Sequence, residues 1–477
     1  MRHTGLVAGL QTAVMSVLIL GPVAGYLTTR SGGPAAKAAA TLTGAAAPAC
    51  GELDDGKIHV PPDWTTFEPP AVGHSYADPA FGCSVMRLTD GAQEETTSDG
   101  KHLSFMNYYS TLSAVNAGDS MVLITSDDGG WRIKSVDGKL VVASDKMPTM
   151  NSGHPVWDAS NGEVFYYTHG NALYRGSIEG GSVKGTAIYT FSEYRGIVSP
   201  DAADLSQDGD HIALVGQNPS NTMDVFVWSL SEEKKTSVYT TSCQVNQWGV
   251  TQTPQPGCVH KLLLTPDNRL ATDFTDDGTG VEQGLRLWDG SRLIHLQDST
   301  NHIDTGYDAS GKPVFIDMGR SSTLAGEDNP CSSGWGLDVR ELNDLSAATC
   351  LLDKQPSWHV SYRGSPAQPW AALSFFDDGK SGPELFNGNA AFEKPTFDNW
   401  VLYQDEIMLV RIDRGSVYRL AHARSRSAEG YWNQPHAAIS RDGKYVVFTS
   451  NMAHPNGCPA GMHVPGQCTD VYLIRVR

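Results

Sequence analysis

Positive charge is scarce in this chain. Lysine and arginine number 35 against 53 aspartates and glutamates, a formal net charge of −18. A nucleic-acid binder needs a basic face, and so does a protein that adheres to anionic lipid. The charge argues against a general nucleic-acid binder and disfavours adhesion to anionic membranes. A polyanionic substrate is compatible only with a local positive site, built from a metal ion, an arginine or a lysine. No long segment carries a clean helical period, which excludes a bundle. There is no CxxC pair for a cysteine-based zinc site, and no HExxH, P-loop or GxSxG elbow for those three chemistries.

What the chain does have is turns. Its 49 glycines and 26 prolines suit many short strands. The last example is Tyr431 to Asn451, where Asp442-Gly443 supplies the φ > 0 positions of a tight turn before the β-branched and aromatic run Tyr445–Thr449. The same grammar recurs. Thr111 to Val142 reads as four strands: Leu112–Val115, Met121–Thr125, Trp131–Val136 and Leu140–Val142. A second unit runs from His154 to Phe191. A third starts near Asp204, with strands at His211–Val215, Asp224–Leu230 and Thr236–Tyr239. Others start at Val259-His260, at His302, at His359 with a long insertion around Asp377 to Phe397, and at Gln434. Units about 40 to 75 residues apart, each too small to bury its own faces, predict an all-β, seven-bladed β-propeller of four-stranded antiparallel blades over 51–477. The last blade is expected to borrow a strand near Ser84–Leu88. A pair of β-sandwiches is the rival architecture.

The N-terminus stands apart from this pattern. Arg2 and His3 precede a mostly apolar run from Leu6 to Leu27, and Pro22-Val23-Ala24-Gly25 offers small residues for cleavage. Residues 1–30 read as a secretory signal peptide or an uncleaved anchor, and 31–50 as an Ala/Gly-rich linker. The protein is thus expected in the periplasm or outside the cell, touching the membrane only through that anchor. Eight cysteines agree with export, and nearest-neighbour pairing is expected because three of the pairs would close short loops: Cys243–Cys258, Cys331–Cys350 and Cys458–Cys468. A closed propeller is expected as a monomer.

The first strand of each blade lines a propeller's channel, so residues at its start converge at one mouth. Those positions read His154, Asp204, His260, His302, His359, and Gln434 with His436. Neutral imidazoles with an amide or carboxylate oxygen suit a divalent first-row metal, and an unligated histidine beside them suits a general base. Asp127-Asp128 and Asp377-Asp378 read as turn residues, and Asp405-Glu406 as a solvated strand edge.

From about Cys83 to the C-terminus the chain resembles the oligogalacturonate lyases, propellers of the wider TolB-like type. The likeness rests on Ser84-Val85-Met86-Arg87-Leu88-Thr89, on Met106-Asn107-Tyr108-Tyr109, on Asp128-Gly129-Gly130-Trp131, on His436 through Ser450, and on Tyr472–Val476. The resemblance implies a metal-dependent lyase, with manganese as the usual ion, that cleaves short uronate oligomers by β-elimination. By position it implies His302, His359, Gln434 and His436 as metal ligands and His260 as the catalytic base. His154, Arg195, Arg363 and Tyr109 are assigned to substrate. The chain departs from the family in three places. Gln434 stands where the family has a ligating histidine, Tyr431 lies near its separate glutamine ligand, and Thr222-Met223-Asp224-Val225 lacks its arginine. The alternative reading is a non-catalytic TolB-like propeller that binds a protein or glycan in the cell envelope.

Overall fold

In the computed structural model, the described residues are 46–64, 66–151, 153–199, 203–244, 258–275, 280–297, 302–320, 330–332, 335–353, 359–375, 400, 402–425, 431–452 and 458–477. All belong to the unit Leu42–Arg477. The expected signal peptide or anchor lies outside the described residues, as does the insertion around Asp377 to Phe397. Among the described residues no helix is long and apolar enough to cross a membrane.

Seven antiparallel sheets follow one another along the chain and form the blades of a propeller. Blade 1 has Phe105–Met106, Met121–Ser126, Trp131–Ser135 and Leu140–Val142. Blade 2 runs Val156–Trp157, Val164–His169, Ala172–Glu179 and Ser182–Thr190. Blade 3 has Gly196–Val198, His211–Gln217, Thr222–Ser229 and Lys234–Gln244. Blade 4 has Val259–Leu264, Leu270–Phe274, Gly284–Trp288 and Leu293–Gln297. Blade 5 has His302–Tyr307, Pro313–Arg320, Trp335–Glu341 and Asp344–Leu352. Blade 6 has His359–Tyr362, Trp370–Ser374, Glu406–Arg411 and Val417–His422, and Glu52–Leu53 adds a fifth strand to its edge. In blade 7, Ala438–Ile439, Tyr445–Ser450 and Asp470–Arg475 are completed by the borrowed strand Ser84–Arg87, so the two ends of the chain close the ring.

Two-sided packing explains why the middle strands show no polar alternation. Every residue of Tyr445–Ser450 is buried. Val446 and Phe448 join a core with Ala372, Ile407 and Leu409 of blade 6. Tyr445 and Val447 join another with Leu103, Phe105, Val122 and Ile124 of blade 1. Each such buried side chain contributes about 1.5–3 kcal/mol, and no blade could gain it alone. All four disulfides pair nearest neighbours: Cys50–Cys83, Cys243–Cys258, Cys331–Cys350 and Cys458–Cys468.

Three expectations change. Blade 1 does not begin at Leu112–Val115. Its inner strand is Phe105–Met106, paired with Ser126 and Thr125, and Val115 only bridges Val122. The residues between leave the ladder, and Tyr108 takes a left-handed φ of 70° in that excursion. Blade 3 begins at Gly196–Val198, ahead of Asp204. Asp405 and Glu406 are not a solvated edge: both are 1% exposed. Glu406 is held by Arg419 Nε and Nη2, while burial pushes the Asp405 carboxyl up to about 8.

Candidate functional site

His302 and His359 open the inner strands of blades 5 and 6, and His436 precedes that of blade 7. Strands entering the channel in parallel phase therefore bring the three rings together. The centroids of His302 and His359 lie 4.2 Å apart, and those of His359 and His436 4.1 Å. His359 and His436 are fully buried. Burial, reinforced by the nearby Lys261 ammonium, holds His302 and His359 well below the ordinary imidazole range. Burial likewise takes His436 down to about 3. All three are neutral at physiological pH, the state in which imidazole donates a lone pair.

The backbone at His436 is held in an unfavourable conformation, φ 45°. Its Nδ1–H donates to the Gln434 carbonyl at 2.6 Å, which leaves the lone pair on Nε2. The Asn107 side-chain amide donates to the His436 carbonyl at 2.9 Å, and Asn107 Oδ1 accepts from the Thr449 hydroxyl at 2.6 Å. The excursion of blade 1 thus clasps the strained turn of blade 7, the kind of over-determination that strain at a functional site requires. Beside it Gln434 is 3% exposed, and among the described residues its Oε1 has no hydrogen-bond donor. A buried amide oxygen left unsatisfied is costly unless something else binds it.

Tyr109, from the same excursion, sits among the rings. Its hydroxyl oxygen is 3.1 Å from His302 Nδ1, and its ring centroid is 5.6 Å from those of both His359 and His436. Lys261 donates to that hydroxyl at 2.8 Å and lies 4.9 Å from the ring centroid.

His260 stands on blade 4 at a bulge. Val259 pairs with Phe274 and Lys261 with Asp273, so His260 is the extra residue and escapes strict alternation. Its Nδ1–H donates to the Asp273 carboxylate at 2.6 Å. The His260 side chain is 60% exposed and Asp273 only 4%. A buried carboxylate thus fixes the tautomer and leaves an exposed Nε2 able to accept a proton.

The remaining assigned residues are not brought to these rings. His154 is buried and donates through Nε2–H to the Ala203 carbonyl at 2.7 Å, with Tyr108 against it at 5.5 Å. Arg195 is exposed and binds Asn221 Oδ1 at 2.7 Å and the Pro219 carbonyl at 2.9 Å. Arg363 lies one layer further along the channel, 3.3 Å from both Asp204 and Asp304. Arg441 joins that layer at 3.5 Å from Asp204. Asp204 therefore belongs to the lower layer and not to the histidine mouth. Burial pushes Asp304 up to about 7 despite Arg363. Burial opposes ionisation of Asp204 too, but Arg441 and Arg363 together hold it below the usual range.

Three neutral imidazoles and an unsatisfied amide oxygen are a donor set that suits a first-row divalent ion. Among the described residues no group of three or more His, Cys, Asp or Glu side chains is placed to hold a metal ion as it stands. Ligation therefore requires the rings to turn from the positions described.

Asn107, Lys261 and Asp273, which sequence reasoning did not assign, contact His436, Tyr109 and His260. Lys261 follows His260 in an apparent strand, where period two would point it to the opposite face. Only the bulge changes that.

No protein family matches the chain, and no curated protein does. Among solved structures, it is similar to an oligogalacturonate lyase in complex with manganese, at 13% identity, covering 85% of this chain and 96% of that one with a TM-score of 0.49. It is also similar to the oligogalacturonate lyase of Vibrio parahaemolyticus, at 10% identity, covering 85% and 96% with a TM-score of 0.51. Identities this low speak to fold alone. In fold, the chain is a seven-bladed β-propeller like that of the oligogalacturonate lyases.

Proposed function

We propose that this protein is an exported lyase that cleaves short uronate oligomers by β-elimination. The observation that supports the reading is the His260–Asp273 pair, an oriented and exposed imidazole whose chain neighbour Lys261 reaches the Tyr109 hydroxyl beside the clustered histidines. In this reaction His260 Nε2 removes the proton from C5 of the uronate, the electron pair of that bond forms the C4–C5 double bond, and the bond from C4 to the glycosidic oxygen breaks, that oxygen leaving with the bonding pair and taking a proton from water. Asp273 stabilises the imidazolium that results. His302, His359, His436 and Gln434 are proposed to hold a divalent ion, with manganese the first to test. Such an ion supplies Lewis acidity toward the uronate carboxylate and so acidifies the adjacent proton. Tyr109, set among the rings, is proposed to meet the substrate. Four disulfides fit a periplasmic or secreted protein.

The test is incubation of oligogalacturonate with the protein and manganese while absorbance in the unsaturated-uronate band is followed. Absorbance should rise, and the rise should vanish in His260→Ala and after chelation. No rise on any uronate oligomer with metal supplied contradicts the proposal. One observation favours a second reading, a propeller that binds a glycan or protein without cleaving it: no three ligating side chains among the described residues are placed to hold a metal as they stand. Tight manganese binding lost in His436→Ala would count against that reading.

A further inference from the structure

We propose that Lys261, together with the Tyr109 hydroxyl it holds, is the specificity-determining pair that reads the ligand's carboxylate at the histidine mouth. This rests on the uronate reading above and names the residue that distinguishes an acidic sugar from a neutral one.

The argument begins with charge. A carboxylate arriving at a protein with 18 more acidic than basic formal charges needs a cation fixed at the site. The two arginines assigned to substrate are placed elsewhere: Arg195 on Asn221 and Pro219, Arg363 between Asp204 and Asp304. Lys261 is at the mouth. Its ammonium is 2.8 Å from the Tyr109 hydroxyl, which is itself 3.1 Å from His302.

The local fold explains how it gets there. His260 is the extra residue of the bulge, so the chain delivers two consecutive side chains to one piece of chemistry. One is the proposed base, turned toward Asp273. The other is the ammonium, turned toward Tyr109. Lys261 is only partly buried, so its donors can meet a ligand at the mouth without the full cost of desolvating the charge. Tyr109 fixes its position through both the hydroxyl contact and the ring face, 4.9 Å away. A carboxylate seated on the Lys261 ammonium and the Tyr109 hydroxyl is adjacent to the carbon whose proton His260 would take. The same pair offers no comparable partner to a methyl ester.

The experiment is calorimetric binding of digalacturonate and of its neutral methyl ester to the full protein, with manganese present and absent. Wild type should prefer the acid by tenfold or more, and the preference should shrink as salt is raised. Lys261→Met should abolish the preference and leave ester affinity within twofold of wild type. Lys261→Arg should restore most of it, and Tyr109→Phe should reduce it by a smaller factor. Circular dichroism and an unchanged melting temperature report that each variant has kept its fold. A Lys261→Met protein that still prefers the acid tenfold overturns the assignment, even if the wild type proves to be a lyase. A wild type that shows the Lys261-dependent preference but releases no unsaturated product keeps the assignment and removes the lyase reading. A wild type that binds neither probe overturns both.

Discussion

Replacing Asp273 by asparagine tests the proposed base through the group that orients it. Asp273 is almost wholly buried and accepts the His260 Nδ1–H at 2.6 Å, a short, charge-assisted bond. Asparagine keeps the shape and removes the charge. It can also present its amide to the ring, which favours the wrong tautomer. Hydrogen bonds to charged groups are worth about 1.5–3 kcal/mol, and roughly 1.4 kcal/mol corresponds to a tenfold change in rate. The expected loss in kcat is therefore about 10- to 100-fold. It lies toward the lower end because His260 is 60% exposed and water screens part of the interaction. Removing the base outright in His260→Ala should cost more, about 10²- to 10⁴-fold. KM should hardly move in Asp273→Asn, because a side chain 4% exposed behind His260 does not meet the substrate. Initial rates of unsaturated-uronate release against oligogalacturonate concentration separate kcat from KM, and circular dichroism checks the fold. Full kcat in Asp273→Asn, or a loss confined to KM, would refute the dyad.

Two further outcomes follow from buried groups. Burial pushes Asp405 up to about 8, so the folded protein holds a proton that the unfolded chain releases near the ordinary carboxylate value of 3.8. Its folded pKa is raised, so its contribution to stability is complete below about pH 4 and is lost as pH rises through about 8. Asp405→Asn mimics the protonated acid; it should stabilise the protein at pH 8, by up to roughly 5 kcal/mol, and have little effect near pH 4, as thermal melts across that range would show. Manganese loading followed by dialysis and metal counting should find one ion per chain in the wild type and a loss of at least tenfold in affinity in His436→Ala.

The propeller was legible because its evidence is local and repeated. Asp-Gly and Asn-Gly turns recur between short β-branched runs, and Ser84–Arg87 completes the last blade near where the sequence placed the closing strand. Phase along the repeats pointed to His302, His359 and His436, whose neighbouring ring centroids lie 4.2 and 4.1 Å apart, but it pointed equally to His154 and Asp204, which pair with Ala203 and Arg363 instead. What stayed hidden depends on departures from regular geometry. The excursion that delivers Tyr109 and Asn107 breaks the inner strand of blade 1 at a left-handed Tyr108. The bulge at His260 places Lys261 against Tyr109. Asp204 sits a layer below the histidines because blade 3 begins earlier, at Gly196. Asp405 and Glu406 looked solvated because charge in sequence reads as surface, whereas Arg419 meets Glu406 indoors.

The central claim is that the histidine mouth carries out β-elimination on a uronate, and product identity tests it most directly. Trigalacturonate digested by the wild-type protein with manganese and analysed by mass spectrometry should yield a fragment with a C4–C5 double bond at its new non-reducing end. That fragment is lighter by one water than the corresponding hydrolysis product, and it should be absent with His260→Ala. Fragments of hydrolytic mass only, or intact trigalacturonate with metal supplied, would contradict the account.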